Sequence, residues 1–377
     1  MRIGFDLRPF LKQETGVGVY FKNLLFELAR LDPSNEYFLF SASWKDRFPA
    51  AKVPPFEKSH FKDFRWPVRA VNFFWYKLGW PRLDSIFKTS LDITHSPTPI
   101  PLPTKGKTVV TVCDLFFMDF PGKADKEARK SFVKRTEASL QKADGIIAIS
   151  EFTKKALQER FKLDGRKIKV TYLGLNSVYQ EAAGCERIGA VRRRFALPEK
   201  FLLFVGATEP RKNLLNLLKA LSIVHKKHKE MGLAIVGREG ADHQRLLEKI
   251  RSSGLELRVK ILGYLPEEDV RDLYHAATAL VYPSLCEGFG LPLLEAMACG
   301  LPAAVSGVSA LPEIGRDAAL YFEPENPDDI AEKVAMIIKN DGLRQALKDK
   351  GKKRALDFSW KRTAAETLDF YRSLLEP

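Results

Sequence analysis

The chain has 377 residues, with 61 Lys and Arg against 47 Asp and Glu and 45% hydrophobic residues. That length exceeds one ordinary core and predicts two domains, and the apolar fraction excludes a disordered chain. No run approaches the roughly 18 apolar residues of a membrane-spanning helix.

The four cysteines, Cys113, Cys185, Cys286 and Cys299, show no CxxC spacing and no partnered histidines. That argues against a disulfide scaffold and a structural zinc site. With a charged start that lacks the apolar stretch of a signal peptide, it predicts a cytoplasmic location. The charge is uneven. Residues 1–180 hold 31 Lys and Arg against 19 Asp and Glu, whereas 181–377 hold 30 against 28. A basic first half suits nucleic acid, anionic lipid or a phosphorylated acceptor.

In chain order, a strand at 2–6 leads through a glycine loop into a helix at 19–31, and a strand follows at 37–41. Segment 56–88 holds ten aromatics, seven Lys and Arg and three acidic residues. Cations interleaved with Trp66, Trp75 and Trp80 suit a membrane interface, with a core helix and loop as the alternative. Short β-rich runs at 93–95, 109–112 and 145–149, helices at 127–142 and 151–161, and a strand at 169–172 complete the first half. The charged, aperiodic stretch 176–200 reads as an interdomain connection. The pattern then restarts, with strands at 201–205, 233–236, 259–262, 279–282, 302–306 and 320–322. Helices at 213–228, 241–253, 267–276 and 292–297 alternate with them, and three more close the chain near 327–340, 342–356 and 360–375.

Strands alternating with helices predict parallel sheets covered on both faces. The fold class is therefore α/β, with two doubly wound, Rossmann-like domains. The expected boundaries are 1–180 with the closing helix 360–377, and 181–359. Ligands of such sheets sit beyond the carboxyl ends of the strands, so the expected site is a cleft between the domains.

Three motifs carry chemistry. Gly16-Val17-Gly18 opens a helix after a strand, but the third glycine of a nicotinamide-binding loop is replaced by Phe21. A phosphate contact at the helix N-terminus and a plain tight turn both remain open. Glu209-Pro210-Arg211-Lys212-Asn213 follows a strand, placing two adjacent cations where a diphosphate can meet them, with a solvated basic turn as the equally open alternative. Ser284 to Ala296 reads SLCEGFGLPLLEA. Gly288 and Gly290 let backbone approach a ligand, and Pro292 suits the first turn of a helix. Glu295 can accept two hydrogen bonds from a vicinal diol such as a ribose, beyond the dipole complementarity that any first-turn Glu supplies.

These residues resemble the retaining glycosyltransferases of family 4, which have the two-domain GT-B fold. The stretch EGFGLPLLEAMACGLPAA matches that family's Glu-x7-Glu motif, and VGATEPRKN matches its basic element. Ser309-Ala310-Leu311-Pro312-Glu313 and Phe358-Ser359-Trp360 also match, the latter opening a helix that crosses back to the first domain. The resemblance implies that Arg211 and Lys212 bind the donor diphosphate and that Glu295 binds the ribose hydroxyls. It implies that Glu287, Gly288, Phe289, Gly290 and Leu291 contact the transferred sugar and phosphate, that the base rests on Gly263-Tyr264-Leu265, and that Gly16 and Gly18 close on the phosphates. One position departs from the family. Cys113-Asp114-Leu115 stands where His-Asp-Leu is usual. A thiol is a weaker hydrogen-bonding group than imidazole, so backbone, Asp114 or His95 is expected to serve the acceptor side instead, with a purely structural role for His95 equally open.

The expected activity is transfer of a hexose from a nucleotide-diphosphate sugar, GDP-mannose being the first choice, to a lipid-linked, lipopolysaccharide or exopolysaccharide acceptor. No metal cofactor and no nucleic acid partner are expected, and peripheral contact with the inner face of an anionic membrane is. A sugar-nucleotide 2-epimerase on the same fold, and a homologue that binds nucleotide with weak or no transfer, are the competing readings.

Overall fold

A computed structural model describes residues 1–11, 16–100, 102–119 and 126–376. It divides into two units, Met1–Gly174 with Ser359–Pro377, and Leu175–Phe358.

In chain order, the first unit contains β1 (Arg2–Asp6), α1 (Gly16–Leu31), β2 (Glu36–Ala42), β3 (Ser59–Phe64), α2 (Val68–Leu78), α3 (Leu83–Phe87) and β4 (Ile93–Ser96). It continues with β5 (Lys107–Val112), α4 (Phe116–Asp119), α5 (Lys126–Lys142), β6 (Gly145–Ala148), α6 (Glu151–Phe161) and β7 (Ile168–Val170). The seven strands form one sheet in the order β3-β2-β1-β4-β5-β6-β7, and every pair is parallel. The order reverses between β1 and β4. Central strands such as β6 are buried along their whole length, as two-sided coverage by helices demands.

The second unit runs α7 (Cys185–Arg194), β8 (Lys200–Val205), α8 (Leu214–His225), β9 (Met231–Val236), α9 (His243–Ser252), β10 (Val259–Gly263), α10 (Glu267–Ala276) and β11 (Ala279–Tyr282). Then come α11 (Leu291–Ala298), β12 (Ala303–Ser306), α12 (Leu311–Gly315), β13 (Leu320–Phe322), α13 (Pro327–Lys339) and α14 (Asp341–Ala355). The six parallel strands lie in the order β10-β9-β8-β11-β12-β13, with the reversal between β8 and β11.

The last helix, α15 (Trp360–Leu375), returns to the first unit. Ser359 caps it by accepting from the Arg362 N–H. Trp360 sits beside Tyr20 of α1, and the Thr363 hydroxyl donates to the Tyr172 carbonyl over 2.6 Å. Gly174 is required at this return, because a Cβ there would lie 2.0 Å from the Trp360 nitrogen.

Several elements depart from the sequence expectation. The stretch 176–200 is not a featureless connection. It contains α7, whose arginines pair with α10: Arg194 with Asp269 at 2.8 Å and Arg187 with Asp272 at 3.3 Å. Strand β3 and the short helices α3, α4 and α12 have no counterpart in the expected elements. Among the described residues, no helix is long and apolar enough to cross a membrane.

Candidate active site

In the second unit the reversal between β8 and β11 opens the crevice where doubly wound sheets bind ligands. The chain leaves β8 through Gly206 and makes a single 3-10 turn at Pro210–Lys212. It leaves β11 into the loop that carries Glu287 and ends at α11. The two loops are tied together by the Leu285 N–H, which donates to the Arg211 carbonyl over 2.8 Å.

Lys212 is almost fully buried, and its Nζ donates to Glu287 Oε1 and to the Tyr282 hydroxyl, each over 2.6 Å. Arg211 reaches the other carboxylate oxygen, with Nη1 3.3 Å from Glu287 Oε2, and its Nε donates to Glu209 over 3.0 Å. Burial works to raise the Glu287 pKa, but the two cations win and hold it at about 2. Burial pulls Lys212 down, while the Glu287 carboxylate pulls it back up, leaving a net lowering. The structure therefore brings Arg211, Lys212 and Glu287 together as one ionised cluster at the carboxyl edge.

Gly290 caps α11 at φ 104°, a conformation other residues rarely adopt. A Cβ there would also lie 2.5 Å from Leu311 Cδ2. Gly290→Ala is therefore expected to lower stability by about 1–3 kcal/mol, read as a shift in the denaturant midpoint. No side chain caps this helix, which leaves its N-terminus to an anion. Phe289 turns its ring inward, edge-on to Phe358 at 5.6 Å, so only its backbone can face a ligand. Leu291 opens the helix.

Glu295 is partly buried one turn further on, and the Tyr274 hydroxyl donates to its Oε2 over 2.8 Å. Burial, helped by the neighbouring Glu267, pushes its pKa up to about 7 against the Tyr274 hydrogen bond. Tyr274 was not legible as a site residue: it lies 21 positions upstream, in an ordinary amphipathic helix. At the far edge, β10 ends at Gly263 with φ 69°. Tyr264 next to it is 62% exposed, and Leu265 is half-buried. An exposed ring at the carboxyl edge is free to stack on a base.

In the first unit, Gly16 begins α1 at an exposed position where a Cβ would meet nothing within 4 Å, and Gly18 is buried. Residues 12–15 of this loop lie outside the described residues. Cys113 and Asp114 follow β5. The Cys113 carbonyl accepts from the Thr153 hydroxyl, burial pushes its thiol far up, and Asp114 turns back to accept from the Phe116 N–H. His95 is the correction. Of its two readings, acceptor contact and structural role, the structure supports the second: it is completely buried in β4, flanked by Phe5 and Phe21. Both ring nitrogens are engaged: Nδ1 with the Tyr371 hydroxyl of α15 at 2.5 Å and Nε2 with the Thr111 hydroxyl at 2.7 Å. Burial drives its pKa down to about 3. It is a neutral strut between sheet and closing helix.

Two family models cover the chain, "Glycosyltransferase Family 4" over residues 15–178 and "Glycosyl transferases group 1" over 191–354. An Escherichia coli protein described as O-antigen chain mannosyltransferase B is 30% identical over 99% of this chain and 100% of its own length. The chain belongs to the family 4, group 1 glycosyltransferases. Solved structures agree on the GT-B fold of this glycosyltransferase. Sucrose-phosphate synthase from Thermosynechococcus elongatus superposes with a TM-score of 0.78 at 20% identity, covering 99% of both chains. Anabaena Alr3699/HepE, solved with UDP-glucose, gives 0.75 at 17% identity over 98% of this chain and 100% of that one. In the glycosyltransferase, the cluster at Glu287 and the acid at Glu295 occupy the two ends of the family's Glu-x7-Glu motif.

Proposed function

We propose that this glycosyltransferase moves a hexose from a nucleotide-diphosphate sugar to a lipid-linked or lipopolysaccharide-type glycan, with retention at the anomeric carbon. GDP-mannose is the donor of first choice, in keeping with the mannosyltransferase described for its full-length relative. The observation that carries the reading is the convergence of Arg211 and Lys212 on Glu287 at the strand reversal, beside the uncapped N-terminus of α11. Fixed positive charge at that point stabilises a departing diphosphate without reorganisation during the reaction. Glu287 holds the two cations in place and contacts the transferred sugar. Glu295 accepts from the ribose diol, and the backbone of Gly288, Phe289 and Leu291 approaches phosphate and sugar. Gly16 and Gly18 close on the phosphates, Tyr264 with Gly263 and Leu265 supports the base, and Asp114 or the backbone at Cys113 orients the acceptor hydroxyl.

With two cations and a helix dipole on the leaving group, no divalent metal is needed. Nucleotide release is measured across a panel of donors, with and without lipid-linked acceptor, in EDTA and in magnesium. Turnover with one donor, dependent on acceptor and equal in the two buffers, is expected, and NMR of the product is expected to give the same anomeric configuration as the donor. Loss of turnover in EDTA would refute the metal-free reading, and an inverted product the retaining one.

We further propose that the enzyme works at the inner face of the cytoplasmic membrane, docked through the aromatic, basic segment of its first unit. The fold divides that segment. Phe56 and Trp75 are core residues, and Trp66 packs against the same core, so they are unavailable to a membrane. The outward residues are Phe61, Phe73, Phe74 and Trp80.

A further inference from the structure

Helix α2 buries Val71 and Trp75, yet its opposite side is not the polar face of an ordinary surface helix. Phe73 and Phe74 stand 56% and 41% exposed there, with Arg69 and Lys77 on the same side at i±4 from Phe73. Leu78 and Trp80, 65% and 61% exposed, extend this rim past the end of the helix. Between α2 and α5 lies a groove of about 550 Å³ that takes in Tyr76, Lys77, Leu78, Arg82, Arg135 and Lys142. Among the described residues lining it, none is acidic. The Arg135 guanidinium lies over the Tyr76 ring at 5.9 Å, which sets one cation at the wall.

Four cations gathered where no described lining residue is acidic repel one another, and an anion entering the groove relieves that repulsion. The rim adds a second requirement. A soluble anion leaves Phe73, Phe74, Leu78 and Trp80 in water, whereas a lipid phosphate brings acyl chains to cover them. We propose that the groove between α2 and α5 seats the phosphate of an anionic phospholipid headgroup, while the aromatic rim enters the interfacial layer beside it. The inference rests on the membrane-docking part of the proposed function and adds a defined headgroup site to it.

The test is sedimentation of the full chain with vesicles of phosphatidylcholine alone and of phosphatidylcholine mixed with phosphatidylglycerol. Wild type is expected to bind only the mixed vesicles. Arg82→Ser with Arg135→Ser should weaken that binding about 30-fold, at roughly fivefold for each cation. Lys154→Ser with Lys155→Ser makes the same charge change on α6 and should cost less than about threefold if position matters more than net charge. Phe73→Ser with Phe74→Ser should also lose binding, by at least about tenfold. Transfer to a soluble acceptor should be unchanged in all three variants. If the groove pair binds like wild type, or loses no more than the α6 pair, the headgroup site is wrong while membrane docking stands. If the Phe73/Phe74 variant keeps full binding, the groove takes phosphate without lipid contact and the proposal fails. If wild type sediments with neither vesicle, the docking reading falls and takes the headgroup site with it.

Discussion

Lys212→Met is expected to lower kcat by about 10²–10³, the usual consequence of removing one preorganised charge from a developing anion. It should also destabilise the fold, because Lys212 is nearly sealed and its ammonium is the closest partner of a buried carboxylate. Breaking such a pair from one side costs on the order of 3–5 kcal/mol. The two effects are separable. Lys212→Met combined with Glu287→Gln removes both charges, so stability in urea should return toward wild type while turnover stays low. A single variant within about threefold of wild-type kcat at saturating donor would exclude Lys212 from leaving-group stabilisation. The pair also sets an acid limit. Glu287 is held near pH 2, below the ordinary 4.5 of a glutamate. Its contribution to stability is therefore complete above pH 4.5 and lost as pH falls toward 2.

Glu295 has the opposite bias, with an equally distinct expected result. With its pKa near 7, the carboxylate is largely protonated at pH 6. A ribose diol donates hydrogen bonds, and the ionised acid is the better acceptor. Donor affinity, measured by calorimetric titration, should weaken toward tenfold for each pH unit below 7 and level off above it. Glu295→Gln should bind more weakly at pH 8 and show no such slope, and a slope that survives in the variant would assign the titration to another group. The same burial makes the residue a liability in the free enzyme. A folded pKa above 4.5 means the stability it supplies is present at pH 4.5 and below and is lost as pH rises through 7. Glu295→Gln should therefore be the more stable protein at pH 8, a trade of stability against function.

The alternation of apolar strands and amphipathic helices was legible because parallel strands buried on both faces read as unbroken apolar runs, such as Met231–Val236. Strand β3 was not, since it lies at a sheet edge and its sequence, SHFKDF, is largely exposed or half-exposed. Helix α7 was hidden for a related reason. Its arginines are neutralised by Asp269 and Asp272 of α10, 75 and 85 positions downstream of Arg194 and Arg187, and no local pattern records such a partner. In the site, the motif residues were readable because loop glycines, a helix-starting proline and paired charges stand together in sequence. The partner that completes Glu295, Tyr274, belongs to another helix. His95 shows the converse failure. A histidine at the end of a short strand looks available to a ligand, and only the closing helix, 276 positions away, reveals that both its nitrogens are already committed.

That closing helix has a consequence for synthesis. Trp360, Thr363 and Tyr371 belong to the core of the unit that contains residue 1. The N-terminal half therefore cannot finish folding when it leaves the ribosome. It must wait, with His95 and the groove against α1 uncovered, until the whole second unit and the final helix have been made. A nascent chain of this enzyme does not mature domain by domain from the front. The half emerging first is completed last, and a truncation of the last twenty or so residues (too few to touch the second unit) strikes the half made at the beginning.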